Sequence, residues 1–313
     1  MVGGCGWCAV SRRGWILFAA MGVIWGMPYL LIKVAVGGVS VPVLVCTRTA
    51  IGALLLAPFA IRGGRLALLR GHVRWLLAFT LIEIVGPFAL LSNAERRLPS
   101  STSGLLVAAV PIFGGLIALL IGSKDRPTPV RWAGLLIGLG GVAVLAGPGA
   151  GRGSVVPVLE VLGTALGYSI GPLIANRTLS DVPSVAVNTV CLATAAVIYA
   201  PFAALTWPSH LPAAKVLVSM AALGVVCTGA AFLVFFALIA EVGPARATVI
   251  TYINPAVAVA LGVIVLGERL TVAIGLAFVL ILGGSVLATW RGTRGPGKPA
   301  MAARSSVPES EHA

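Results

Sequence analysis

The sequence predicts an all-α integral membrane protein with ten transmembrane helices, built as two inverted five-helix repeats. Hydrophobic residues make up 58% of the chain, charged residues make up 10%, and the mean hydropathy is +1.04. A soluble domain has about a quarter of its residues charged, so this chain cannot present an ordinary water-facing surface. Apolar runs of about 20 residues, the length that crosses a bilayer as a helix, occur ten times. Similar segments also recur about 144 positions apart along the chain.

The ten apolar runs follow one another with short polar connections. They predict spans at 14–36, 43–61, 74–92, 102–122, 131–148, 155–176, 184–206, 215–240, 246–266 and 271–290. The first run is too long for a cleavable signal peptide and continues as a full span. The segment 291–313 is rich in Gly, Pro, Ser and charge, which predicts a disordered cytoplasmic tail.

The repeat is visible in four separate segments with a near-constant offset. Ala57–Ala60 (Ala-Pro-Phe-Ala) recurs at Ala200–Ala203, and the prolines pair as Pro28 with Pro172, Pro99 with Pro244, and Pro111 with Pro255. The repeats are predicted at 14–148 and 155–290, with five spans each. Because five is odd, the second repeat enters the bilayer from the opposite face. Inverted repeats of this kind recur among secondary transporters, whose substrate sites lie near the bilayer midplane.

The basic residues that give the net charge of +13 are distributed unevenly along the chain, and this distribution indicates the topology. With both termini in the cytoplasm, 15 basic residues lie on the cytoplasmic side and five on the outer side, while Lys33 and Arg48 lie within spans. This bias agrees with the positive-inside rule and does not point to a nucleic-acid partner. The expected location is the plasma membrane.

The cysteines indicate neither a disulfide framework nor a metal site. There are five, an odd number, and Cys5 and Cys8 have no second pair to complete a four-ligand zinc site. We therefore predict no cofactor.

Several short motifs resemble one known family of membrane proteins. They are Trp25-Gly26, Arg48, Pro111, Asn254-Pro255 and Gly267-Glu268-Arg269. In these positions they resemble the EamA-type members of the drug/metabolite transporter superfamily, and the resemblance covers both repeats. It implies a ten-helix carrier of small metabolites. The pattern departs in two places, since Lys124-Asp125 stands opposite Glu268-Arg269, and span 6 has Gly167-Tyr168 in place of Trp-Gly.

Polar and aromatic residues beside the span prolines are the candidate lining of a substrate cavity. Trp25, Tyr29 and Lys33 share one helical face by their spacing of four. The other candidates are Arg48, Pro111, Tyr168, Asn176, Thr251, Tyr252, Asn254 and Pro255. The alternative for Trp and Tyr is anchoring at the membrane interface.

Glu83 is the acidic residue that the sequence places near the middle of span 3. Ionisable groups at that depth are costly and mark ion or substrate pathways. We predict that Glu83 binds a substrate ammonium group or couples transport to protons. The alternative is a purely structural pairing with Lys33 or Arg48.

Together these features predict a secondary transporter that moves a small metabolite by alternating access. The resemblance to the family implies export as the direction, and an amino acid, a related metabolite or a drug-like compound as the substrate. The expected partners are that small molecule, the lipid bilayer and protons, without nucleic acid, and the expected assembly is a monomer or homodimer. The alternatives are an intramembrane enzyme acting on a lipid-linked substrate, and a channel or structural membrane protein.

Overall fold

The computed structural model describes residues 11–62, 66–120, 128–146, 155–243 and 247–289, and these residues form helices joined by short turns. Eight helices are long and apolar enough to cross a membrane, and two shorter apolar helices complete a set of ten in the described residues. In chain order they are α1 (Arg12–Ala35), α2 (Val41–Arg62), α3 (Leu68–Ala94), α4 (Ser100–Ala118), α5 (Pro129–Leu145), α6 (Val155–Thr178), α7 (Ser184–Leu205), α8 (Ala214–Val242), α9 (Val249–Leu266) and α10 (Val272–Ala288). The predicted all-α membrane fold is confirmed. Cys5, Cys8, Lys124, Asp125, Pro244 and the tail 291–313 lie outside the described residues.

The two repeats share an irregularity that hydropathy does not reveal. In α3, residues Thr80–Val85 form a π-helical turn, and in α8 residues Val225–Ala230 form another, 145 positions later. A π-turn inserts one residue into a helix and is frequent at functional sites. The matching positions show that the repeat extends to the backbone geometry.

Of the prolines Pro28, Pro111, Pro172 and Pro255, three interrupt their helices. Pro28 follows a break in α1, Pro111 follows a turn at Ala108 and Ala109 in α4, and Pro255 follows a short 3-10 turn in α9. Pro172, by contrast, lies inside a continuous helix. The residue before it is Gly171, which lacks the Cβ that normally clashes with a following proline ring.

Glycines set the closest helix contacts. Gly134 of α5 and Gly284 of α10 lie directly against the opposite helix, where an added Cβ at either position would meet backbone, while a Cβ at Gly138 would meet the Ile112 side chain. Gly163 and Gly167 of α6 pack against α3, where a Cβ at Gly167 would meet the Ile82 carbonyl oxygen at 2.5 Å. This is the small-residue packing that membrane helices use.

The bundle has two ends, which we name by the termini. The terminal end carries the start of α1 and the last turn of α10. There Ser11 Oγ donates a hydrogen bond to Glu241 at 2.5 Å, and His72 Nε2 lies 3.4 Å from the Asp181 carboxylate. The distal end carries the turns after α1, α3, α7 and α9. There Ser40 and Thr206 share a hydrogen bond of 2.7 Å between their hydroxyls.

Candidate functional site

Arg48 is a buried cation in the interior of the bundle. Its residue is only 7% exposed, its Nε donates to Thr228 Oγ1 at 2.9 Å, and its Cζ lies 4.0 Å from the centre of the Phe88 ring. Thr228 lies in the π-turn of α8 and in turn donates to the Leu223 carbonyl oxygen. Among the described residues Arg48 forms no ion pair. A buried guanidinium held by a neutral hydroxyl and an aromatic face can still bind an anionic group.

Glu83 lies in the π-turn of α3, and the Gly171 backbone of α6 packs against its carboxyl group. A Cβ at Gly171 would collide with the Glu83 carboxylate, so glycine at 171 makes the space for it. Glu83 Oε2 is buried and has no hydrogen-bond partner among the described residues. The pairing with Lys33 or Arg48 is not present in this conformation, since neither forms an ion pair with it.

Two tyrosines connect these charges. Tyr168 of α6 lies within electrostatic range of both Arg48 and Glu83, and Tyr29 of α1 lies within range of Tyr168 and Arg48. Tyr29 is buried and lies against Gly104 of α4, where an added Cβ would be 3.5 Å from Tyr29 Cδ2. We call Tyr29, Arg48, Glu83 and Tyr168 the central cluster. It combines one guanidinium, one carboxyl group and two phenols drawn from both repeats.

The three residues predicted to share one face of α1, Trp25, Tyr29 and Lys33, lie in different surroundings because the helix breaks between Gly26 and Pro28. Trp25 packs on Phe235 of α8 with ring centres 4.7 Å apart. Lys33 reaches the distal end, where its Nζ donates to the carbonyl oxygens of Glu95 at 2.6 Å and Leu98 at 2.7 Å. Only Tyr29 of this face therefore belongs to the central cluster.

The remaining predicted residues lie outside the central cluster. Asn176 is exposed near the terminal end of α6. At Pro111, the nearby carbonyl oxygens of Ala108 and Val110 accept hydrogen bonds from Ser285 of α10 and Ser169 of α6. Protein groups thus satisfy the broken backbone of α4, as they must inside a bilayer.

The polar residues of α9 lie around its proline break. Tyr252 donates to the Ser285 carbonyl oxygen at 3.5 Å, and Thr251 is half-buried. Pro255 is buried, and the neighbouring Asn254 Oδ1 is buried without a hydrogen-bond partner in the described structure. Gly26 of α1 packs against this break, and a Cβ added at Gly26 would lie 3.2 Å from the Asn254 carbonyl oxygen.

Sequence reasoning missed several polar residues. Thr228 holds Arg48, and Asn93 donates to Glu160 Oε1 at 2.6 Å between α3 and α6. At the distal end Glu268 accepts the backbone N–H groups of Ser100 at 2.6 Å and Ser101 at 3.0 Å. The repeat offset pairs Thr228 with Glu83, which is a signal that could have identified it from the sequence.

The chain is similar to known membrane transporters along most of its length. The profile of the EamA-like transporter family matches residues 12–147 and again residues 156–290. "Uncharacterized inner membrane transporter YedA" of Escherichia coli strain K12 is 30% identical over 285 residues, which cover 90% of this chain and 92% of that protein. "Probable terminal-alkyne amino-acid exporter" of Streptantibioticus cattleyicolor is 28% identical, covering 92% of this chain and 99% of that protein. "Aromatic amino acid exporter YddG" of Ancylobacter novellus is 31% identical, covering 63% of this chain and 69% of that protein.

Proposed function

The chain belongs to the EamA-like transporter family and is a multi-pass membrane transporter. On that premise we propose that it exports a zwitterionic amino acid or a close derivative across the plasma membrane. The observation that carries the proposal is the central cluster, in which Arg48 and Glu83 are buried without an ion pair. A buried charge without a counter-ion is costly unless a ligand supplies the partner. An α-amino acid carries both partners, a carboxylate for Arg48 and an ammonium group for Glu83.

The direction of transport is proposed from the relatives, two of which are named as amino-acid exporters and one as an inner membrane protein. The mechanism is alternating access. In the conformation described, the hydrogen bonds that Lys33 donates and Glu268 accepts join α1, α3, α4 and α9 at the distal end. We assign the distal end to the outside, following the distribution of basic residues, so these contacts close the outer side of the central cluster.

Glu83 also supplies a route for coupling to protons. A carboxyl group that binds either a proton or the substrate ammonium group makes the two compete for one site. Export would then release substrate outward in exchange for a proton. Thr228 occupies the matching position in the second repeat and cannot ionise, so coupling is confined to the first repeat.

The test is exchange of radiolabelled amino acids in vesicles that contain the purified protein. Each amino acid is compared with its N-acetyl form, which lacks the ammonium group, and with its methyl ester, which lacks the carboxylate. We expect saturable exchange of the parent compound. Competition by either derivative should be about 10- to 150-fold weaker, since one charge-assisted contact is worth about 1.5–3 kcal/mol. Competition by either derivative as strong as that of the parent amino acid contradicts the proposed zwitterion site.

Matched variants assign the two charges. Glu83→Gln should lose discrimination against the N-acetyl form and lose the pH dependence of transport, whereas Arg48→Gln should lose discrimination against the methyl ester. Glu241→Gln, an exposed acid at the terminal end, serves as the control and should behave as wild type. Unchanged pH dependence in Glu83→Gln protein would leave Glu83 a structural residue. Resistance of an overexpressing strain to toxic amino-acid analogues would test the direction.

A further inference from the structure

Glu95 presents a second buried acid, at the distal end and separate from the central cluster. It follows the last residue of α3 and is 0% exposed. Both carboxyl oxygens are buried and have no hydrogen-bond partner among the described residues. Neither the family resemblance nor the central cluster gives this side chain a role.

The charged and polar groups around Glu95 are engaged elsewhere. Lys33 directs its ammonium group to two backbone carbonyl oxygens, one of them from Glu95 itself, and forms no ion pair with the carboxyl group. Glu268 is held by the first two backbone N–H groups of α4. The neighbouring Ser103 hydroxyl donates to the Pro99 carbonyl oxygen at 3.4 Å and also lies near enough to the carboxyl group to lower its pKa.

Other ionisable groups near this end leave the carboxyl group equally unpaired. Tyr29 lies within electrostatic range of Glu95 from the bundle interior. Glu160 of α6 is held by Asn93, and Arg96 and Arg97, next to Glu95 in the chain, are exposed. An ionised carboxylate in such a place would lose its hydration without gaining a partner, which costs several kcal/mol, roughly, whereas the neutral acid avoids most of that cost.

We propose that Glu95 is a proton-binding site that is occupied while the distal end is closed and releases its proton when that end opens and water reaches the carboxyl group. The site is distinct from Glu83, and it makes the closed distal end more stable in acid than in base. The proposal rests on the proposed function only in treating the distal end as a gate. Its ligand is the proton, and no transported solute is needed to observe it.

The direction of the pH effect follows from the environment of the acid. Burial raises the pKa of the Glu95 carboxyl group well above its ordinary value, the Lys33 charge and the Ser103 hydroxyl lower it in part, and the Glu268 charge raises it further. The closed state therefore binds one more proton than the open state over the pH range between the two pKa values. Within that range the closed-to-open ratio falls by up to about tenfold for each unit of rising pH.

The experiment measures opening through a buried cysteine reporter. Ser101→Cys places a thiol at the first turn of α4, where the serine side chain is buried and the backbone N–H that donates to Glu268 is kept by the substitution. The reporter is introduced into full-length protein whose native cysteines are replaced, and it is labelled in detergent with a polar maleimide. Rates at each pH are divided by the rate for the unfolded protein, which removes the effect of thiol ionisation.

We expect the corrected labelling rate to rise with pH, by up to about tenfold per unit, and to be slow and flat in Glu95→Gln protein. The exposed-acid control Glu241→Gln should keep the slope of the parent. Glu95→Gln should remove the same part of the slope in a Glu83→Gln background, which separates this site from the proposed transport site. A flat rate in the parent, or an unchanged slope in Glu95→Gln protein, would overturn the proposal. If Glu95→Gln protein does not fold, infrared spectra of Glu83→Gln protein decide: the carbonyl band of a protonated carboxylic acid at neutral pH supports the site, and its absence refutes it.

Discussion

Replacing Gly171 by alanine should damage the central cluster through a single methyl group. The added Cβ would collide with the Glu83 carboxylate and lie 2.7 Å from Glu83 Cδ and 3.0 Å from Glu83 Cβ, so the whole side chain must move. Overpacking of this kind costs about 1–3 kcal/mol, and alanine in a helix recovers about 0.5–1 kcal/mol relative to glycine. We expect a net loss of about 1–2 kcal/mol, measured as a lower apparent melting temperature of the purified protein in detergent.

Two controls separate this collision from a general effect of alanine. Gly140 and Gly275 lie in α5 and α10, and a Cβ at either position meets no atom within 4 Å. Gly140→Ala and Gly275→Ala should therefore leave the melting temperature unchanged or raise it. Glu83→Asp, one methylene shorter, should recover at least half of the loss when combined with Gly171→Ala. The reasoning fails if Gly171→Ala behaves like Gly275→Ala, or if Glu83→Asp gives no recovery.

Three further predictions concern the distal end and the topology. Glu268→Ala removes the acceptor for two backbone N–H groups at the start of α4 and should cost about 1–2 kcal/mol at neutral pH, whereas Arg269→Ala, at an exposed neighbour, should cost little. Burial raises the pKa of Glu268, but hydrogen bonds from Ser101 and Ser100 outweigh it and leave the pKa below its usual value. The difference in stability between Glu268→Ala and wild type should therefore disappear as the pH falls through that pKa. A difference that persists in acid would show that the charge is not responsible. Lys33→Met should lower the apparent unfolding free energy by about 2–3 kcal/mol because it leaves two buried carbonyl oxygens without a charged donor, with Lys33→Arg closer to wild type. Reporter fusions after residues 70 and 125 should report the cytoplasm, and fusions after 40 and 152 the outside; the reverse pattern would invert the assignment of the distal end.

The sequence was sufficient for the helices and the repeat, because both depend on patterns within the chain. Apolar length predicted all ten helices, and the proline offsets identified the two repeats before any contact was known. Span 3 began six residues earlier than predicted, at Leu68 instead of residue 74, because its first turn carries Arg70 and His72 and so escapes a search for apolar runs.

The site was predicted only in part, because spacing within one helix does not fix contacts between helices. The face of Trp25, Tyr29 and Lys33 assumed an unbroken helix, and the break at Pro28 separates its members. The spacing from Tyr168 to Asn176 fails for a different reason, since eight residues turn a helix by about 80° more than two full turns. Glu268 meets the start of α4 across 168 positions of sequence. Glu95 resembled an ordinary loop acid beside two arginines, and only the packing shows that it is buried.

The paired π-turns carry a record of how the molecule arose. The wide turn is present at Thr80–Val85 and at Val225–Ala230, while the residues at its matching positions differ, with glutamate at 83 and threonine at 228. The simplest history places the backbone irregularity in a single ancestral gene, before duplication and fusion. The same turn now positions two different polar groups, the carboxyl group of Glu83 and the hydroxyl that holds Arg48, so the two repeats share a backbone while their side chains at this position do different work.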